Sequence, residues 1–126
     1  MTPCKILKTK SKMKHYPTLN RSVLLVIPKQ AFYDWSNALF PDLPQTNRAG
    51  FDDYNSYLLE DELFLDDPKT ELKKYWKNIF INELFGQCTD ENTFPTLTWK
   101  RFTEWFELHR SSMVTDLTDE PLYTSL

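Results

Sequence analysis

Five consecutive aliphatic residues, Val23-Leu24-Leu25-Val26-Ile27, run directly into Pro28. A strand turns successive side chains to opposite faces, so an unbroken apolar run over Ser22 to Ile27 predicts a strand covered on both sides, the central one of a sheet. Pro28 has no backbone donor and ends the ladder there. The run is also too short for the apolar segment of a signal peptide or for a membrane span, which predicts a cytoplasmic protein with no membrane partner. Two cysteines, Cys4 and Cys88, in unlike settings give no disulfide framework.

After Pro28 the period changes. Phe32, Trp35 and Leu39 recur at helical spacing, with Gln30, Asp34 and Asn37 turned away, and Pro41 and Pro44 stop the pattern. Residues 41–54, rich in Pro, Asn, Asp and carrying Gly50, read as a loop. Tyr57 and Leu59 alternate with Ser56, Leu58 and Glu60, a second strand nearer a sheet edge.

Asp66-Asp67-Pro68 reads as a helix start, with Asp67 as cap and Pro68 tolerated in the first turn. Leu72, Tyr75, Trp76, Ile79, Phe80 and Leu84 then form one apolar stripe. Lys73, Lys74, Lys77, Asn78 and Glu83 are assigned to the outward side, and Gly86 to the C-cap. Residues 87–97 connect to a third helix starting near Thr98, with Trp99, Phe102 and Phe106 on one side. A third strand is expected between Leu108 and Leu117, Met113, Thr115 and Leu117 sharing a face.

The element order is therefore β-α-β-α-α-β, and the fold class is α+β: a small three-stranded sheet with three helices in a two-layer sandwich. At 126 residues this is one domain over residues 21–119. A flexible basic N-terminal arm occupies residues 1–20, and a flexible C-terminal tail residues 120–126. Met13 offers a second translation start, in which case residues 1–12 do not belong to the protein.

The net charge of −3 conceals a split. Lys5, Lys8, Lys10, Lys12, Lys14 and Arg21 give residues 1–21 a charge of +6. In residues 22–126 the nine remaining Lys and Arg face all 18 Asp and Glu, a charge of −9. Such a body repels phosphate backbones and anionic lipid, so nucleic acid is not an expected partner.

Several strings form a pattern: Pro28-Lys29-Gln30 with Tyr33-Asp34-Trp35, then Phe102-Thr103-Glu104-Trp105-Phe106, then Ser112-Met113-Val114-Thr115-Asp116-Leu117-Thr118-Asp119-Glu120-Pro121-Leu122. Over residues 22–122 the chain resembles a family of short uncharacterised bacterial cytosolic proteins. That family has no assigned activity, so the resemblance implies a bacterial source and a compact acidic domain, not a reaction. Members often carry a histidine directly before Ser-Met-Val; here that position is Ser111, and the nearest histidine is His109.

Candidate chemistry is sparse. Cys88, His109 and Asp116 supply the residue types of a thiol nucleophile, its base and an orienting carboxylate, without the flanking pattern of a thiol enzyme. Asp52, Asp53, Asp66, Asp67, Asp90, Glu91, Asp119 and Glu120 are acids that hold hard cations or divide into acid and base, but adjacent residues on a strand face opposite sides and no calcium-loop order is present. His15 and His109 with two distant cysteines give no transition-metal spacing. Trp99-Lys100-Arg101-Phe102 interleaves bases with aromatics as a single-strand-binding surface does, yet on a helix the same letters describe an amphipathic turn. No glycine-rich phosphate loop exists. The sequence therefore yields no catalytic, metal or cofactor residue and indicates no small molecule.

What remains is an excess of rings: four Trp, nine Phe and six Tyr. A small domain is not expected to enclose them all. Exposed aromatics are enriched at partner-binding surfaces, and Tyr33, Tyr54 and Trp105 fall off the core stripes or in loops. The expectation is a non-enzymatic protein-binding or regulatory module that uses this aromatic surface to engage a protein partner or a second copy of itself as a homodimer. The alternative is a small hydrolase or metal-dependent enzyme that uses the acidic loops with His109.

Overall fold

The computed structural model describes residues 13–48, 53–60 and 68–125. Strand β1, Arg21–Pro28, is the central strand: it pairs antiparallel with β2, Asn55–Glu60, on one side and β3, Phe106–Ser111, on the other. The helices are α1, Gln30–Leu39; α2, Pro68–Phe85; and α3, Trp99–Trp105. A single 3₁₀ turn, Glu91–Thr93, precedes α3. The order is β-α-β-α-α-β, as the periodicities require.

Register decides which residues share a face. Leu24 lies opposite both Tyr57 and Arg110, Val26 opposite Asn55 and Leu108, and Pro28 opposite Phe106. This face carries the helices. Leu24, Val26, Leu59 and Phe106 from the sheet join Phe32 and Tyr33 of α1, Ile79, Phe80 and Leu84 of α2, and Phe102 of α3 in one core. Phe102 is the hub, with ring centroids 5.8 Å from Phe80, 5.4 Å from Phe106 and 6.0 Å from Trp76. Rings tilted or edge-on at such distances add to the ~1.5–3 kcal/mol gained by burying each large apolar side chain. Ser22, fully enclosed, is satisfied by donating to the Glu60 carbonyl at 3.0 Å.

The other face differs from expectation. Val23, Leu25 and Ile27 are half-buried and not enclosed, because all three helices contribute their core residues to the opposite side. The aliphatic run is therefore central within the sheet but, among the described residues, covered by helices on one side only.

Three further differences have local causes. The third strand begins at Phe106, directly after α3, and closes at Ser111. Phe106 is buried whether it ends a helical stripe or starts a strand, so spacing alone cannot separate the two. Beyond β3, the Leu19 amide donates to the Val114 carbonyl at 2.7 Å, the Asp116 amide donates to the Pro17 carbonyl at 3.0 Å, and Lys14 pairs with Asp119 at 2.8 Å. Second, Gly86 follows α2 directly but does not take a left-handed conformation; the turn closes through the Gln87 and Cys88 amides donating to the Leu84 carbonyl. Third, α1 buries Phe32, Tyr33 and Ser36, a face displaced from the Phe32-Trp35-Leu39 line. Asp67, the expected cap of α2, lies outside the described residues. Thr98 caps α3 by accepting the Arg101 amide at 3.1 Å.

Candidate functional site

The aromatic residues set aside for a partner are placed mostly inward. Tyr33 is 3% exposed, its ring edge-on to Phe32 at 5.7 Å. Trp105 is half-buried against Phe32, Trp35 and Phe80, at 6.3, 6.2 and 5.7 Å. Tyr54 is half-buried at the wall of a cavity described below. Trp35, Trp76 and Trp99 also lie against the core, and the Trp35 indole donates to the Thr93 carbonyl at 3.0 Å. The indoles form the rim of the core, each touching other rings, so no tryptophan is left fully exposed. Lys73 and Lys77 of α2 lie over the Trp99 and Trp76 rings at 5.8 and 5.7 Å, covering their outer surfaces with aliphatic stems and charge.

The sequence candidates for chemistry do not converge. The Cys88 thiol receives the Thr93 hydroxyl at 3.7 Å; the His109 ring meets Glu107 at 2.6 Å; Asp116 takes the Thr118 amide at 2.9 Å. Each of the three is engaged with a close sequence neighbour, and no hydrogen bond joins them. Asp90 caps the 3₁₀ turn by accepting the Asn92 amide at 3.0 Å. Asp119 pairs with Lys14, while Asp52, Asp66 and Asp67 lie outside the described residues. Among the described residues no three His, Cys, Asp or Glu side chains gather to hold a metal ion, and no helix is long and apolar enough to cross a membrane.

Two features stand out instead. The first is the sheet face opposite the helices, left uncovered by helices among the described residues. Register places Leu58, Val23 and Ser111 in one row, Ser56, Leu25 and His109 in the next, and Ile27 beside Glu107. Leu58 is 55% exposed. The charged margin is ordered: Arg48 donates to one Glu107 oxygen at 2.6 Å and His109 contacts the other at 2.6 Å. The His109 hydrogen bond, with that of Arg48, holds the Glu107 carboxyl below its ordinary range. At the outer edge of β2, a groove of about 810 Å³ runs between Leu58 and Glu60 of the strand and Tyr75 and Asn78 of α2.

The second is Glu83, expected on the outward side of α2 and in fact 5% exposed. The correction has a plain origin. Glu83 sits four residues after Ile79 and three after Phe80, so it belongs to the apolar stripe, and an ionisable residue on a stripe was the signal. Asn55 of β2 donates to Glu83 Oε2 at 2.7 Å, and the Tyr57 hydroxyl donates to the same oxygen. Asn82 donates to the Tyr57 oxygen at 2.9 Å. Burial raises the Glu83 pKa, only partly offset by the Tyr57 and Asn55 hydrogen bonds; burial and the Glu83 contact raise that of Tyr57. Glu83 borders a cavity of about 310 Å³ shared with Tyr33, Tyr54, Asp53 and Asn55. Burial, with Tyr54 and Glu83 nearby, also raises the Tyr33 pKa.

No family model, curated protein or solved structure matches this chain.

Proposed function

We propose that this chain is a non-enzymatic protein-binding module whose contact surface is the uncovered sheet face together with the outer edge of β2. The observation that carries the reading is the apolar row across that face: Val23, Leu25 and Ile27 half-buried with no helix over them among the described residues, and Leu58 exposed at its border. An apolar surface rimmed by charge is what association interfaces present, and an edge strand offers unpaired backbone groups to an incoming chain. The Arg48, Glu107 and His109 cluster at the margin supplies the polar rim that fixes register without adding much affinity. The aromatic residues Tyr33 and Trp105 then serve as support beneath the sheet and not as the contact itself. A free Cys88 thiol accords with a reducing, cytoplasmic setting.

The test replaces Leu58 with glutamate, which places a charge in the apolar row while leaving the core untouched. Partner capture from source-cell extract and sedimentation of the purified chain are compared for wild type and Leu58→Glu. A protein held by wild type and lost from the variant, whether a second copy or another chain, supports the reading. A monomeric wild type whose captured proteins are identical to those of the variant removes it.

A further inference from the structure

We infer that the Glu83 cavity is a binding site for a small organic cation, an alkyl ammonium or a guanidinium group. It stands apart from the sheet-face reading and uses the other side of the sheet. The first ground is the hydrogen-bond direction. Tyr57 receives a donor from Asn82, so its own proton is directed to Glu83, and Asn55 adds a second donor to the same oxygen. Both donors favour the charged carboxylate and offset part of the opposing effect of burial, and a bound cation adds to them.

The second ground is that no basic side chain among the described residues balances this charge. Among the described residues no Lys, Arg or His nitrogen lies within ion-pair distance of Glu83. Arg48, near enough to act on Tyr33, is committed to Glu107 at 2.6 Å, and Lys29 donates to the Thr103 carbonyl at 3.3 Å. A carboxylate 5% exposed without a counter-ion is costly, and a cation in the adjoining space offsets that cost.

The third ground is the lining. Tyr33 and Tyr54 bring aromatic surface, to which cations are attracted, and Asp53 adds a second carboxylate on an exposed residue. A space of about 310 Å³ takes a charged group with a few methylenes. The acidic body draws cations toward it from a distance. Ammonium and guanidinium groups come from free amines or from lysine and arginine side chains of a peptide, and both present the same head to Glu83.

Calorimetric titration of the full chain tests this, with n-butylammonium, agmatine and an acetylated, amidated arginine tripeptide as probes and n-butanol as the neutral control. Saturable binding of at least one cation, none of n-butanol, and a loss of about tenfold or more in affinity on Glu83→Gln is the expected result. Tighter binding of the tripeptide than of agmatine assigns the site to a side chain; the reverse order assigns it to a free amine. Asp53→Asn, on an exposed residue, is expected to weaken binding several-fold with the fold intact, and it decides the matter if Glu83→Gln does not fold. The inference is overturned if no cation saturates below about 50 mM. It is equally overturned if both variants bind as wild type does.

Discussion

Glu83 and Glu107 lie on opposite sides of the same sheet, and their surroundings drive them in opposite directions. Glu83 is enclosed on the helix side, its partners are neutral donors, and burial raises its pKa. Glu107 sits on the uncovered side, bonded to His109 and to the Arg48 guanidinium, and its pKa is lowered. One residue type thus becomes a buried charge that costs stability at neutral pH and a surface charge that adds a little. The difference is set by solvent and by the sign of the neighbours, not by the side chain.

The comparison is broken most severely from the helix side. Phe102→Ala empties the hub of the core and is expected to cost about 3–5 kcal/mol, read from the denaturant midpoint; a cost below about 1 kcal/mol shows that the side holding Glu83 is not the packed one. Tyr57→Phe removes the hydroxyl that links Asn82 to Glu83 and is expected to cost about 1–3 kcal/mol by the same measurement. His109→Ala, on the uncovered side, leaves the midpoint nearly unchanged, because exposed ion pairs contribute little.

The pH dependence sharpens the contrast. Glu83 has a folded pKa above its ordinary 4.5, so the folded chain binds more protons than the unfolded one between those two values. Its contribution to stability is fully present below pH 4.5 and is lost as pH rises through the folded pKa. Glu107, with a folded pKa below 4.5, contributes stability that is present above 4.5 and lost as pH falls through the folded value. Relative to wild type, Glu83→Gln should therefore gain stability as pH rises from 4.5 toward neutrality, and Glu107→Gln should lose less at pH 3 than at pH 7. Unfolding curves across pH 3–7 check both slopes. Parallel slopes for the two variants would show that the two carboxylates share one environment. Leu58→Glu, the smallest effect, is expected to change stability by no more than about 0.5 kcal/mol while altering association, since its side chain already faces solvent.

Much of the architecture is readable before any coordinates. The step from the apolar run at Val23–Ile27 to helical spacing after Pro28, the stripe from Leu72 to Leu84 and a third helix starting near Thr98 all rest on local backbone geometry, and their elements stand close to where that geometry puts them. The misplacements occur where one residue satisfies two patterns. Phe106 fits a helix stripe and a strand face; Tyr33 lies one position off an apolar line yet packs against Phe32; Glu83 was read as solvent-facing because it is charged, although its position is on the stripe. The candidate sites were largely illegible. Tyr33, Asn55 and Glu83 come from three elements, and only strand register and helix placement set them around one cavity, with Tyr57 bonded to Glu83 beside it.

By itself the sequence determined the kind and order of the elements and the central place of β1, because period and capping act over a few neighbouring residues. Tertiary structure alone decided that all three helices cover one side of the sheet, leaving Leu58 and its row open, and that Glu83 is enclosed among neutral donors. Those outcomes depend on contacts between residues tens of positions apart, and the burial of a charge is a property of its surroundings, which no single stretch of chain carries.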